Sequence, residues 1–258
     1  LANLTDLAFT PNGSVLAYSG RSAAQWNNAG VSFISADTGE EVRRLGSSTD
    51  YFYRLAFSPD GETLAAYNGF DDDVETWAWA EANDGAAGTV LFDTSVSIDE
   101  LGYNADGSLI TVTSYNTDLA FYDAVTGERQ TPFNPPIPRV IDVTYSPDGS
   151  RMVVAQRLAT YTSYITLYDV EAGAMLFPLQ YTTNTDLVSN LTFSPDGALI
   201  AAIVDENRVH VWDAATGALL FDHGDAYIPN NQLMFSSDGR MIVTADWDGL
   251  IRIWGIPE

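Results

Sequence analysis

One seven-residue pattern occurs six times in this 258-residue chain and constrains its fold more than any other feature. The copies are LAFTPNG (Leu7 to Gly13), LAFSPDG (Leu55 to Gly61), LGYNADG (Leu101 to Gly107), VTYSPDG (Val143 to Gly149), LTFSPDG (Leu191 to Gly197) and LMFSSDG (Leu233 to Gly239). Their closing glycines stand 48, 46, 42, 48 and 42 residues apart. Each copy alternates apolar and polar residues and then reaches a turn. There Pro presets the backbone dihedral, Asp hydrogen-bonds its own backbone and Gly supplies a positive φ. A second alternating run follows at once, as in Thr63 to Tyr67 and Leu199 to Val204, so each copy predicts a β-hairpin.

A second motif is interleaved with the first. It reads VSFISADTG (Val31 to Gly39), LAFYDAVTG (Leu119 to Gly127), ITLYDVEAG (Ile165 to Gly173), VHVWDAATG (Val209 to Gly217) and, at the end, IRIWGIPE (Ile251 to Glu258). The alternating residues predict a third strand, and the Asp-x-x-x-Gly turn leads into a fourth. Repeat two is irregular: its third strand runs through Thr76 to Trp79, an insertion spans Glu81 to Gly88, and Thr89 to Asp93 resumes the pattern. Four strands per unit of about 45 residues is the arithmetic of a β-propeller blade. A blade has two apolar faces and cannot bury both alone, so blades must stack. The expected fold is therefore all-β, a single propeller domain over residues 1–258 built of four-stranded antiparallel blades. The repeats fall near 1–48, 49–95, 96–136, 137–182, 183–225 and 226–258. No stretch keeps a 3.6-residue apolar period, so no amphipathic helix is expected.

Paired in this way, LxFSPDG and VxVWDxxTG resemble the WD-repeat family over essentially the whole chain. Trp212-Asp213 matches the namesake dipeptide, Tyr122-Asp123 and Tyr168-Asp169 are its aromatic variants, and Trp254 lacks the Asp. The family's Gly-His pair before the first strand is missing from every repeat: Gly46-Ser47 stands where one is expected, and His223 precedes Gly224. In WD-repeat proteins that histidine anchors a buried hydrogen-bond network, so the resemblance implies blades that rely on apolar packing instead. Tol-type periplasmic propellers share the SPDG signature, but the WD-like third strand argues against them. Leu1 to Phe9 matches a first strand and Ile251 to Trp254 a third, which gives five complete blades and one lacking its outer strand, 23 strands in all. In the family a strand from the N-terminus completes the last blade and seven blades are usual. The resemblance thus implies a segment before Leu1. The rival is a six-bladed ring whose outer edge is open or filled by a partner.

Composition narrows the function. Without Cys, disulfide frameworks, thiol catalysis and Cys-type zinc sites are excluded. Thirty-five acidic residues against 11 basic ones, all Arg, give a net charge of −24, which repels nucleic-acid phosphates and anionic lipid. No apolar run approaches the roughly 20 residues that span a bilayer. No Gly-x-Ser-x-Gly elbow is present. Only two histidines exist: His210 reads as a blade-face residue and His223, between Asp222 and Asp225, as the one exposed acid or base, on a loop. No catalytic residue is assigned and no cofactor is expected. Asp71, Asp72 and Asp73 are weak metal-ligand candidates or a solvated loop tip. Asp246-Trp247-Asp248-Gly249 reads as a hairpin turn.

Aromatic residues give the most usable signal. In WD-like rings the second-to-third and fourth-to-first strand loops share one face, the usual interaction surface. Onto it the register maps Trp26, Tyr51, Phe52, Phe70, Tyr115, Tyr161, Tyr227 and Trp247, residue types enriched at binding hot spots. About half are expected to be buried. The strand aromatics Phe9, Phe57, Tyr145, Phe193 and Phe235 read as core. The leading expectation is a non-catalytic scaffold that binds other proteins, as a subunit of a larger assembly, with no nucleic acid and no direct membrane insertion. One alternative is an extracellular propeller taking glycan or Ca²⁺. The absence of Lys and Cys, the heavy Asp usage and Asn-x-Ser/Thr triplets at Asn3, Asn12 and Asn190 favour an extracellular or cell-envelope setting slightly. The other is a hydrolase or lactonase using carboxylates at the central channel, for which no cluster can be assembled from the sequence.

Overall fold

A computed structural model describes residues 3–21, 30–47, 50–114, 117–134, 136–157, 163–180, 187–205, 208–224, 230–246 and 250–256. They contain 23 strands and, among the described residues, no helix long and apolar enough to cross a membrane. The strands form six antiparallel β-propeller blades, five of four strands and one of three. Blade 1 comprises β1 (Asn3–Phe9), β2 (Val15–Arg21), β3 (Val31–Ser35) and β4 (Glu41–Leu45). Blade 2 comprises β5 (Phe52–Phe57), β6 (Thr63–Asn68), β7 (Asp73–Ala78) and β8 (Thr89–Asp93). Blade 3 comprises β9 (Glu100–Tyr103), β10 (Leu109–Thr113), β11 (Ala120–Asp123) and β12 (Arg129–Gln130). Blade 4 has β13 (Val140–Tyr145), β14 (Arg151–Arg157), β15 (Ser163–Asp169) and β16 (Ala174–Pro178), and blade 5 has β17 (Val188–Phe193), β18 (Leu199–Val204), β19 (Arg208–Asp213) and β20 (Leu219–Gly224). Blade 6 holds β21 (Asn230–Phe235), β22 (Met241–Asp246) and β23 (Ile251–Gly255). Within every blade, strands pair in chain order.

The repeated turn does what its residues dictate. In the fifth copy Ser194 Oγ donates to Asp196 Oδ1 at 2.6 Å, and the same oxygen accepts from Ala198 N at 3.0 Å. Leu199 N returns to Ser194 Oγ at 2.9 Å. Gly197, at φ 71°, closes the turn in the left-handed region, where any side chain is strained. These hydrogen bonds to the ionised carboxyl hold Asp196 below the usual carboxylate range, and the same device lowers Asp148 to about 2. Successive turns also touch, since a Cβ on Gly61 would meet Pro11 at 3.2 Å and one on Gly107 would meet Pro59 at 3.3 Å.

The chain divides into two compact units, 1–115 with 120–131 and 116–119 with 132–258. In the first unit, strand alternation splits β6 between two cores. Leu64 and Ala66 pack with Phe33, Leu45, Phe52 and Trp77 against blade 1. Ala65 and Tyr67 pack with Ile98, Leu101 and Ile110 against blade 3. In the second unit β18 does the same, with Ile200, Ala202 and Val204 toward blade 4 and Ala201 and Ile203 toward blade 6. A strand buried on both faces has no polar positions, which is why LIAAIV is apolar throughout.

Three sequence expectations need correction. Phe9 is 55% exposed, because it shares with Leu4 and Leu7 the face of β1 turned away from blade 2, while Ala8 points into that core. His223 lies in β20 rather than on a loop, paired with Val209, with its ring 4.8 Å from that of Trp254. The third-strand aromatics do not rest on apolar packing alone: Trp212 Nε1 donates to Gln180 O, Trp77 Nε1 to Ala86 O at 3.1 Å and Trp254 Nε1 to Thr244 Oγ1 at 3.1 Å. Buried indole N–H groups need an acceptor, and carbonyls or a threonine supply it where no histidine does.

Candidate partner-binding face

In the first unit the second-to-third and fourth-to-first loops meet at one end of the blades. Gly30, which follows β2, donates its N–H to Asp50 O at 3.2 Å, and Gly69, which follows β6, donates to Tyr51 O at 2.9 Å. Thr94, which follows β8, donates N–H to Asp72 O at 2.6 Å. Gly69 lies flat against Tyr53, with no room for a side chain because a Cβ would stand 2.2 Å from that ring. Tyr51 and Tyr53 meet edge to face, centroids 4.5 Å apart. Phe70, at the tip of the β6–β7 turn, is 80% exposed, and its backbone N–H is held by Asn68 Oδ1 at 3.1 Å.

Of the aromatics assigned to this face, Tyr51 is half-buried and Phe70 exposed, and both lie on it. Phe52 does not: it is 1% exposed, with its ring 5.4 Å from that of Trp77 in the core between blades 1 and 2. β5 already begins at Phe52, and the period-two alternation turns Tyr51 and Tyr53 one way and Phe52 the other. Trp26, Tyr115, Tyr161, Tyr227 and Trp247 lie outside the described residues. Tyr53, missed in the sequence reading, is 38% exposed and follows from the same alternation.

The Asp triplet separates in the structure. Asp71 and Asp72 are exposed in the turn, whereas Asp73 is the first residue of β7 and 7% exposed. Asn68 Nδ2 donates to Asp71 Oδ2 and to Glu75 Oε1, each at 3.1 Å, and Tyr67 OH donates to Asp72 Oδ1 at 2.8 Å. Asp73 Oδ1 is buried without a hydrogen-bond partner. Burial, followed by the charges of Glu75, Asp71, Asp93 and Asp50, pushes Asp73 up to about 6, and burial likewise raises Glu75. Among the described residues no three acidic or histidine side chains are placed to hold a metal ion.

A second group of charges went unnoticed in the sequence. The residue before each repeat's opening Leu or Val is polar: Asp6, Arg54, Glu100, Asp142, Asn190 and Gln232. Three of them, Asp6, Arg54 and Asp142, tie blade to blade. Asp6 Oδ2 accepts from Leu55 N at 2.8 Å, and Asp142 Oδ2 accepts from Leu191 N at 2.8 Å. Arg54 Nε donates to Asp99 O and its Nη1 to Tyr53 O. Both acids sit beside a register shift in the first strand, after Leu4 and after Val140, which frees the side chain to reach the next blade. His210 is fully buried, its Nε2 3.0 Å from Asp222 Oδ1, and burial holds its pKa down.

Residues 178–213 and 219–255 match the family model described as WD domain, G-beta repeat. Among curated proteins, the chain is 26% identical over 148 residues to an uncharacterized WD repeat-containing protein of Synechocystis sp., covering 57% of this chain and 40% of that protein. It is 23% identical to the target of rapamycin complex subunit wat1 of Schizosaccharomyces pombe, over 60% of this chain and 48% of that protein. It is 34% identical over 61 residues to the pre-rRNA-processing protein crb3/ipi3 of the same yeast, 24% of this chain and 14% of that protein. The chain thus spans less than half the length of each of these relatives. The interleaved repeats, the six blades and these matches together show a β-propeller fold that resembles the WD-repeat family, with the family's repeat matched over residues 178–213 and 219–255.

Proposed function

We propose that this propeller is a non-catalytic scaffold that holds protein partners on its loop face, as a subunit of a larger assembly. The observation that carries the reading is Phe70, a large aromatic held 80% open at a turn whose backbone is pinned by Asn68 and Tyr51. An exposed aromatic on a held backbone gains on binding by losing apolar surface, with no backbone left to order. The relative named as a complex subunit supports the same reading. Against catalysis, Asp6 Oδ2 and Arg54 Nε already bond the backbone of the next blade, and His210 faces Asp222 with no solvent contact. A net charge of −24 favours protein partners over nucleic acid. The test is purification from the native source, comparing wild type with Phe70→Ala by native mass spectrometry. A defined complex that loses a stoichiometric component in the variant supports the scaffold. An unchanged complex removes blade 2 from the interface, and a lone monomer in both removes the scaffold.

A further inference from the structure

The insertion of blade 2, Glu81 to Gly88, joins β7 to β8 and so belongs to the set of loops opposite the loop face. In blades 3, 4 and 5 the same place holds a tight Asp-x-x-x-Gly turn whose glycine lies against the blade before it. A Cβ on Gly127 would overlap the Leu91 carbonyl, one on Gly173 would overlap the Pro132 carbonyl, and one on Gly217 would stand 2.8 Å from the Phe177 ring. Gln180, just past β16, adds a hydrogen bond from its N–H to Gly217 O at 3.1 Å. Each turn thus seats on the end of the preceding blade's fourth strand.

In blade 2 the insertion enlarges that contact along β4. Gly85 N donates to Arg44 O and Gly46 N donates to Ala86 O, both at 2.8 Å, and Asp84 Oδ1 accepts from Arg44 N at 3.4 Å. β4 is the last strand of its sheet, so these bonds fill an edge that would otherwise lie open. Ala86 O also accepts from Trp77 Nε1 at 3.1 Å, so one carbonyl joins the end of β4 to the core side of blade 2. Ala82 and Ala86 pack on the core shared by the two blades, beside Trp79, whose ring stacks on Phe33 with centroids 5.1 Å apart. Asp84 and Gly85 are exposed. Blade 1 needs such a tie. It packs on blade 2 by one face and leaves Leu4, Leu7 and Phe9 open on the other, whereas blade 2 is packed on both. Fewer buried apolar contacts mean a lower free energy of local opening.

We propose that the insertion of blade 2 is a strap that holds blade 1 closed and sets how readily that blade opens. Its hold lies in the bonds of Asp84, Gly85 and Ala86 to the edge of β4. Trp79 and Ala82 anchor the strap on blade 2's side of the shared core.

The experiment is native-state hydrogen exchange, resolved by residue with NMR, on wild type and on the double variant Asp84→Ala with Gly85→Val. Gly85 stands at φ 73° and a Cβ there would meet nothing within 4 Å, so valine strains the strap's backbone without entering the core. Exchange at Arg44 and Gly46 is expected to quicken about tenfold, and at Leu16 and Ala17 in β2 about fivefold. Gln180, whose amide makes the corresponding bond in the second unit, is expected to keep its wild-type rate. Asp84→Ala alone, an exposed substitution that keeps both main-chain bonds, is expected to quicken the same blade 1 amides about twofold. Unchanged rates at Arg44 and Gly46 in both variants would overturn the proposal. So would a rise confined to those two amides, which would make the insertion a local contact, or an equal rise at Gln180, which would mark general destabilisation.

Discussion

Replacing Asp73 by Asn is expected to stabilise the protein at neutral pH and to leave it unchanged in acid. Asp73 is 7% exposed, faces other carboxylates, and titrates near 6 in the folded chain against 3.8 when unperturbed. A carboxyl whose folded pKa is raised favours folding while protonated. Its contribution is therefore intact below about pH 3.8, declines as pH rises and has been lost above about pH 6. The separation of about two units converts to a cost of roughly 3 kcal/mol at pH 7.5, and solvent screening reduces this to about 1–3 kcal/mol. Asn has the same shape, carries no charge, and adds an N–H₂ donor among carboxylates where Asp73 supplies only acceptors. Urea unfolding of both proteins at pH 4 and pH 7.5, followed by tryptophan fluorescence and far-UV circular dichroism, measures the effect. The expected result is a higher midpoint for Asp73→Asn at pH 7.5 and coincident midpoints at pH 4. A midpoint that stays equal at both values, or falls at pH 7.5, would refute the reasoning that Asp73 carries an uncompensated charge.

Two further perturbations test the packing. Leu64→Ala opens a cavity at a fully buried contact between blades 1 and 2 and is expected to cost about 2–5 kcal/mol, read as a drop in urea midpoint. Gly13→Ala and Gly127→Ala both place a side chain at φ 71°, but a Cβ at Gly13 meets nothing within 4 Å, whereas one at Gly127 would overlap the Leu91 carbonyl. The first is expected to cost about 1–2 kcal/mol of backbone strain, and the second distinctly more, in thermal unfolding of the pair.

Much of the fold was legible because each repeat states its turn chemistry and its alternation locally. All six hairpins form where the heptapeptides stand, and among the described residues there are 23 strands, three of them in the last blade. What the local pattern does not state is which neighbour covers a face. Phe9 alternates like its buried counterpart Phe193, yet 55% of it is open against 7%: Phe193 packs into the core shared with blade 4, whereas Phe9 lies on the face of β1 turned away from blade 2. Phe52 was misplaced for a different reason: the strand starts one residue after Tyr51, so a residue read as loop already obeys the period of two. The polar residues Asp6, Arg54 and Asp142 were visible one residue before their motifs. Their bonding across blades sits beside register shifts that no residue type announces. Asp73 was read with its two neighbours as one acidic run, and only the start of β7 separates the buried carboxyl from the exposed pair.

The central claim, that the loop face of the blades receives a protein partner, is tested most directly by site-specific photo-crosslinking in the native source. A benzophenone side chain replaces Phe70 in one variant and Val125 in another. Val125 is 86% exposed in the β11–β12 turn, which belongs to the other set of loops. The account predicts a discrete adduct of one defined partner from position 70 and none from position 125. Adducts of the same partner from position 125 alone, or from neither position, would contradict it.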